Sequence, residues 1–107
     1  MAIFEVEEEN FNTLLAEELD KGNFIILKFG AELCDACQAL DFELEELDDN
    51  GENISIFNID FHECESLSNI YEIQMLPTIV IYNNKNEILI SHEGVMLCQD
   101  MLDIIHS

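Results

Sequence analysis

Short apolar runs alternate with amphipathic stretches along the chain, and the two patterns predict alternating strands and helices. Apolar residues that recur every three or four positions indicate a helix, because they fall on one face of it. Short continuous apolar runs rich in β-branched residues indicate buried strands. The predicted strands are 3–6, 23–29, 54–59, 78–82 and 87–91, and the predicted helices are 10–19, 34–47, 67–73 and 96–105.

The order of these elements, β-α-β-α-β-α-β-β-α, predicts an α/β fold. Strands that alternate with helices pair in parallel in a sheet covered on both faces. The turn residues 83–86 between the last two strands predict a hairpin, which adds an antiparallel edge. We therefore expect a central mixed β-sheet flanked by helices on both faces. No stretch resembles a linker, so we expect one domain over residues 1–107.

The large excess of acidic over basic residues limits the kinds of molecule that this protein is expected to bind. The chain has 24 acidic residues against three basic ones, all lysines, for a formal net charge of −21. Nucleic acids and anionic membrane surfaces are bound by clustered lysine and arginine, so neither is an expected partner. A charged partner would be basic.

Location is predicted from the absence of targeting features. No apolar run approaches the roughly 20 residues of a membrane span, and the acidic start of the chain is unlike a secretory signal. We therefore expect a cytoplasmic protein. In a reducing compartment, four cysteines point to catalysis, metal binding or burial more than to structural disulfides.

The Cys34-Asp35-Ala36-Cys37 segment is the sharpest chemical feature of the sequence. It lies where a buried strand is predicted to end and a helix to begin. The unpaired N–H groups and dipole of a helix N-terminus favour a thiolate, which is the reactive form of cysteine. Cys37, one turn further along, is placed to resolve a mixed disulfide formed by Cys34. Asp35 acts in the opposite sense, because a neighbouring carboxylate opposes thiolate formation.

Two other interpretations of the cysteines remain open from the residues alone. Cys34 and Cys37 could be buried apolar side chains or half of a zinc site. Cys64 and Cys98 do not form the second closely spaced pair that would make zinc a strong prediction. Cysteines outside a close pair are more often inert core or surface thiols than redox centres. Both are nevertheless predicted near helix starts at the end of the sheet that carries Cys34, so a regulatory role or mixed disulfides remain open.

Several segments together resemble the thioredoxin family over nearly the whole chain. Residues 29–37, Phe-Gly-Ala-Glu-Leu-Cys-Asp-Ala-Cys, are similar to the family's strand-to-helix segment, in which Phe-x-Ala-x-x-Cys-x-x-Cys is usual. Residues 58–60 resemble the end of its third strand, residues 76–78 its cis-proline loop, and Gly94 the glycine that shapes the adjoining groove. The resemblance implies the thioredoxin fold, whose element order is the one predicted above.

The resemblance also implies an activity. A thiol–disulfide oxidoreductase of the protein-disulfide reductase type would use Cys34 and Cys37 as catalytic residues. Leu33, Leu76, Pro77 and Gly94 would bind substrate, and no metal or organic cofactor would be needed because the dithiol is the redox group.

The implied partners are disulfide-containing proteins and an electron donor of the thioredoxin-reductase type. Because this chain is acidic, we expect the electron donor to carry a basic docking surface. The alternative is a redox-inactive module of the same fold that binds a basic partner.

The sequence departs from the family pattern around the dithiol. Leu33 and Asp35-Ala36 stand where Trp and Gly-Pro are usual. Lys28 replaces the buried acid behind the cysteines, and Ile56 aligns with that acid's usual lysine neighbour, so both members of that pair are lost. We expect Lys28 and Asp35 to influence the thiol pKa values in opposite directions. Phe42 replaces the proline that commonly kinks the helix, which predicts a straighter helix.

Overall fold

The computed structural model describes residues 3–107 and contains the predicted elements in the predicted order. The strands are β1 (Ile3–Val6), β2 (Phe24–Gly30), β3 (Ile54–Asp60), β4 (Thr78–Tyr82) and β5 (Ile88–Glu93). The helices are α1 (Phe11–Asp20), α2 (Asp35–Asn50), α3 (Glu65–Ile70) and α4 (Cys98–Ile105).

The five strands form one mixed sheet in the order β1-β3-β2-β4-β5. β1 and β2 both pair in parallel with β3, whereas β4 is antiparallel to β2 and β5 is antiparallel to β4. The central strand is therefore β2. The residues that follow its carboxyl end leave the sheet at the middle of the side where that strand ends.

Successive side chains of each strand enter opposite layers of the protein. On one face, strand residues pack against apolar residues of α2 and α4. The strand residues include Ile26, Ile56 and Ile79, and the helix residues include Leu40, Leu44, Leu47, Met101 and Ile105. On the other face, strand residues pack against Phe11 of α1 and Leu67 of α3. These strand residues include Ile25, Leu27, Phe29, Phe57 and Ile59. Burial on both faces explains why β2 is a continuous apolar run broken only by Lys28.

Element bounds differ from the prediction where apolar periodicity gives no signal about a helix end. α3 begins at Glu65, two residues before the predicted 67–73. It ends earlier than predicted, at Ile70, because Glu72 adopts a positive φ of 53° that a continuing helix cannot contain. Ile73 packs against the core from the loop after α3. Its apolar side chain therefore fitted the helical spacing although the residue lies outside the helix. α2 runs unbroken past Phe42 and extends beyond its predicted end at residue 47 to Asn50. Within residues 3–107, no helix combines the length and apolar character needed to cross a membrane.

Candidate active site at the carboxyl end of the central strand

Cys34 and Cys37 are joined by a disulfide, with Cα atoms 5.2 Å apart. Cys34 is the N-cap of α2, and its Sγ accepts a hydrogen bond from the Cys37 backbone N–H at 3.2 Å. Cys34 is half-buried, whereas Cys37 is only 1% exposed. The helix N-terminus therefore points its N–H groups at the more accessible sulfur, where they favour negative charge.

The loop between β2 and α2 holds Leu33 outwards. Leu33 adopts the left-handed conformation, with φ of 55°, directly before Cys34. Its side chain is 98% exposed. An apolar side chain held in water beside the accessible sulfur is available for contact with another molecule.

The segment before β4 lies next to the end of β2. Phe29 pairs with Thr78, and Thr78 pairs with Glu93, so Pro77 and Gly94 lie at the same sheet edge as the dithiol. The Leu76–Pro77 peptide bond is cis, as the resemblance implies. The Thr78 hydroxyl donates to the Met75 carbonyl at 2.5 Å. The sheet register thus places Leu76, Pro77 and Gly94, which come from segments far apart from the dithiol in sequence, at the end of the sheet where the dithiol lies.

Lys28 lies behind the dithiol on the face of β2 that packs against α2. Its side chain is buried, and its Nζ donates to Asp41 Oδ1 at 2.8 Å. A Cβ atom built on Gly30 would lie 3.0 Å from Lys28 Nζ and 3.4 Å from Cys37 Sγ. The ammonium and the Cys37 sulfur are therefore no farther apart than the sum of these two distances.

Asp41 was missed by the sequence analysis, which noted only that the family's usual ion pair is absent. The structure gives Lys28 a different acid partner. A signal was present: Asp41 follows Cys37 by four residues, and such residues share one face of a helix. A lysine in a buried strand also requires a partner for its charge.

An acidic groove of about 390 Å³ opens beside the dithiol, over Gly30 and Lys28. The acidic side chains that line it are Glu5, Glu32, Asp41, Asp60 and Glu63. Asp35 is exposed in the first turn of α2. Carboxylates therefore lie both in the groove next to Gly30 and in the first turn of the helix that Cys34 caps.

Cys64 and Cys98 are free thiols buried in the two opposite core layers. Burial, followed by the negative charge of nearby carboxylates, raises the pKa of both thiols. Cys64 Sγ donates to the Val6 carbonyl at 3.5 Å. In the part of the chain that the structure describes, no three or more His, Cys, Asp or Glu residues are arranged to hold a metal ion.

Comparison with known proteins supports the interpretation of this site. The profile of the thioredoxin family matches residues 2–106. Thioredoxin of Chlamydia pneumoniae is 28% identical over 83 residues, which are 78% of this chain and 76% of that protein. Thioredoxin-1 of Caenorhabditis elegans is 30% identical over 81 residues, 76% of this chain and 69% of that protein.

The solved structure of chloroplastic thioredoxin z superposes with a TM-score of 0.85 at 26% identity, and the match covers 99% of this chain and 93% of that one. These likenesses agree with the close cysteine pair and do not favour the redox-inactive alternative. Proteins of this kind act on protein disulfides and are recycled by a reductase. The chain belongs to the thioredoxin family and is a thiol–disulfide oxidoreductase.

Proposed function

We propose that this protein reduces protein disulfides through Cys34 as the attacking residue and Cys37 as the resolving residue. The observation that carries this assignment is the asymmetry of the two sulfurs. Cys34 Sγ caps α2 and is partly accessible, whereas Cys37 lies buried one turn further along the helix. The sulfur at the helix N-terminus has the environment of a reactive thiolate.

The proposed cycle transfers two electrons from the dithiol to the substrate. The Cys34 thiolate attacks one sulfur of the substrate disulfide, so a Cys34–substrate bond forms and the substrate S–S bond breaks. The electron pair of that bond leaves on the second substrate sulfur, which takes a proton. Cys37 then loses its proton and attacks Cys34 Sγ, which closes the Cys34–Cys37 disulfide and releases the first substrate sulfur to be protonated in turn.

Leu33, Leu76, Pro77 and Gly94 are the proposed substrate-binding residues. Leu76 and Pro77 lead directly into β4, so a substrate segment could lie beside them in an extended conformation. Leu33 presents an apolar side chain to water, and the apolar side chains of Met75, Val95 and Leu97 are also exposed. A substrate segment with apolar residues near its disulfide would cover this surface.

Lys28 and Asp35 are the proposed charges that tune the dithiol. The Lys28 ammonium favours a nearby thiolate, whereas the Asp35 carboxylate disfavours it. They act from opposite sides, since Lys28 is buried behind the cysteines and Asp35 is exposed in α2.

The proposal needs no metal or organic cofactor, because the dithiol itself carries the electrons. Electrons would come from a reductase of the thioredoxin-reductase type. A basic docking surface on that reductase would complement the net charge of −21. We place this single domain in the cytoplasm, where reducing conditions would keep Cys64 and Cys98 as free thiols.

Insulin reduction with dithiothreitol as electron source tests the proposal. The wild-type protein should accelerate reduction, and both Cys34→Ser and Cys37→Ser should abolish the acceleration. After removal of dithiothreitol, which would itself cleave a mixed disulfide, only Cys37→Ser should accumulate one with its target, visible by mass spectrometry. This variant retains the attacking thiol and lacks the resolving one. Absence of both wild-type activity and the trapped species would contradict the proposal.

A further inference from the structure

The Lys28–Asp41 ion pair lies directly behind the resolving cysteine, and the proposed function assigns no role to Asp41. We propose that Asp41 is a positioning residue that competes with the Cys37 sulfur for the Lys28 ammonium. The competition sets how readily Cys37 loses its proton. This inference rests on the proposed role of Cys37 as the resolving thiol.

The Lys28 ammonium is bonded to Asp41 and lies close to the Cys37 sulfur. Cys37 and Asp41 are four residues apart in α2 and therefore share one helix face. Lys28 reaches that face from β2, with Nζ 2.8 Å from Asp41 Oδ1. A Cβ atom built on Gly30 would lie 3.0 Å from Lys28 Nζ and 3.4 Å from Cys37 Sγ. The distance between Nζ and Sγ therefore cannot exceed the sum of these two distances.

Gly30 makes this arrangement possible. A Cβ at this position would lie only 2.8 Å from Lys28 Cε, a distance that real Cβ contacts essentially never show. The missing side chain leaves the space through which the lysine stem passes. Lys28 can therefore stay 5% exposed while its ammonium remains near both the sulfur and the carboxylate.

The redox state changes what the ammonium can bind. In the disulfide, Cys37 Sγ carries no charge, and Asp41 holds the ammonium. During resolution Cys37 must become a thiolate in a buried position, where desolvation disfavours the charge. The ammonium is then the nearby countercharge. Asp41 can yield it at low cost, because the Asp41 side chain is 48% exposed and water can solvate it.

Other carboxylates face the groove over Lys28, and their negative charge is the same in the wild-type protein and in the variants compared below. The groove over Lys28 is lined by Glu5 of β1, Glu32 of the loop before α2, Asp60 at the end of β3 and Glu63 of the turn that follows. Their negative charge raises the pKa of a thiol nearby. Among the described residues, Asp41 is the carboxylate that accepts a hydrogen bond from Lys28 Nζ, so its removal should free the ammonium.

Titration of Cys37 alone tests the competition. Thiolate absorbance is measured against pH as the difference between Cys34→Ser and Cys34→Ser/Cys37→Ser proteins, which subtracts Cys64, Cys98 and the tyrosines. Adding Lys28→Met should lower the Cys37 thiolate fraction at a given pH by about tenfold, because a close opposite charge is worth at least about one pKa unit. Adding Asp41→Asn should raise that fraction by about threefold, since the carboxylate acts from farther away.

The opposite signs separate this role from a structural one, since loosened packing would move both variants alike. Asp49→Asn is the matched control: it removes the same charge from an exposed position of α2, about 12 Å further along the helix. It should leave the titration unchanged. In the Lys28→Met background, Asp41→Asn should have little further effect, because the ammonium for which it competes is gone.

The resolution rate gives a second readout. A lower thiol pKa raises the thiolate fraction but lowers its nucleophilicity, so a tenfold change in thiolate should change the rate by only about threefold. Lys28→Met should slow resolution of a glutathione mixed disulfide on Cys34 by about that factor, and Asp41→Asn should accelerate it. Equal or same-sign shifts in the two variants, or no shift in Lys28→Met, would overturn the inference. Insulin reduction by the wild-type protein would still stand, so failure here is distinguishable from failure of the proposed function.

Discussion

The backbone N–H of Gly94 donates a hydrogen bond to the Pro77 carbonyl across 2.8 Å. This bond ties the loop after β5 to the segment proposed to receive substrate. Gly94 forms it with a φ of 95°, in the left-handed region that favours glycine. The position of Pro77 therefore depends on a conformation that other residues adopt only with strain.

Gly94→Ala should destabilise the protein by about 1–2 kcal/mol and also impair insulin reduction. No heavy atom lies within 4 Å of a Cβ built there, so the cost comes from backbone strain instead of a clash. Urea denaturation measures the first effect and the kcat/KM for insulin the second.

Gly22→Ala is the matched control, because Gly22 has a φ of 82° and equally open surroundings. It follows α1, at the opposite end of β2 from the dithiol. We expect a similar loss of stability with full activity in excess insulin. Equal activities in the two variants would show that the Gly94–Pro77 bond does not serve substrate binding.

Glu18 should make the folded protein sensitive to acid. Its side chain is 3% exposed and accepts hydrogen bonds from Lys21 at 2.7 Å and Ser55 at 2.6 Å. Burial by itself raises the pKa of Glu18, but these bonds and the Lys21 charge outweigh it, so the pKa is lowered. A lowered pKa stabilises the fold above the unfolded-state pKa of about 4.3, and this contribution is lost as pH falls through the folded-state value.

Glu18→Gln should therefore cost about 1–3 kcal/mol at pH about 7 and show a weaker loss of stability on acidification than the wild-type protein. Urea denaturation at several pH values measures both. Glu17→Gln removes the same charge from an exposed position of α1 and should have little effect at neutral pH. The prediction fails if the two variants lose the same stability.

Leu33→Asn should weaken substrate binding without harming the fold. Asn tolerates the left-handed conformation better than Leu, so stability should be unchanged or slightly higher. Loss of an apolar contact of about 1 kcal/mol would raise the KM for insulin about fivefold. Ile70→Asn changes another exposed apolar residue, at the end of α3, and should leave KM unaltered. A KM unchanged in Leu33→Asn would remove Leu33 from the substrate-binding set.

Cys64 and Cys98 should resist alkylation in the native, reduced protein. Burial raises the pKa of both thiols and shields them from reagent. Iodoacetamide labelling followed by peptide mass spectrometry should modify Cys34 first, and Cys64 and Cys98 only after unfolding in urea. Native labelling of Cys64 or Cys98 at the rate of Cys34 would contradict their assignment as core thiols.

Turnover with a protein electron donor should slow as salt is added. A basic docking surface would be attracted by the net charge of −21, and this attraction is screened beyond about 8 Å at physiological ionic strength. Reduction by dithiothreitol, which is uncharged, serves as the control and should change little. A reductase rate indifferent to ionic strength would count against a basic partner.

Helices and strands with a clear apolar pattern could be predicted from the sequence. Their ends were harder to predict where they depend on the backbone conformation of one residue. The periodicity of Leu40, Leu44 and Leu47 identified α2, because the same residues fill the core beneath it. The end of α3 was misplaced, since it depends on the positive φ of Glu72, for which the apolar pattern has no signal.

The element order, the position of the dithiol at a strand-to-helix junction and the family could all be predicted from the sequence, because they depend on local pattern and spacing. The strand order, the Lys28–Asp41 pair behind Cys37 and the buried Glu18–Ser55 contact became visible in the folded protein. These contacts join residues 13 and 37 positions apart. Which residues meet in such contacts depends on how the helices pack on the sheet. That packing is driven by burial of apolar surface, to which residues from the whole chain contribute.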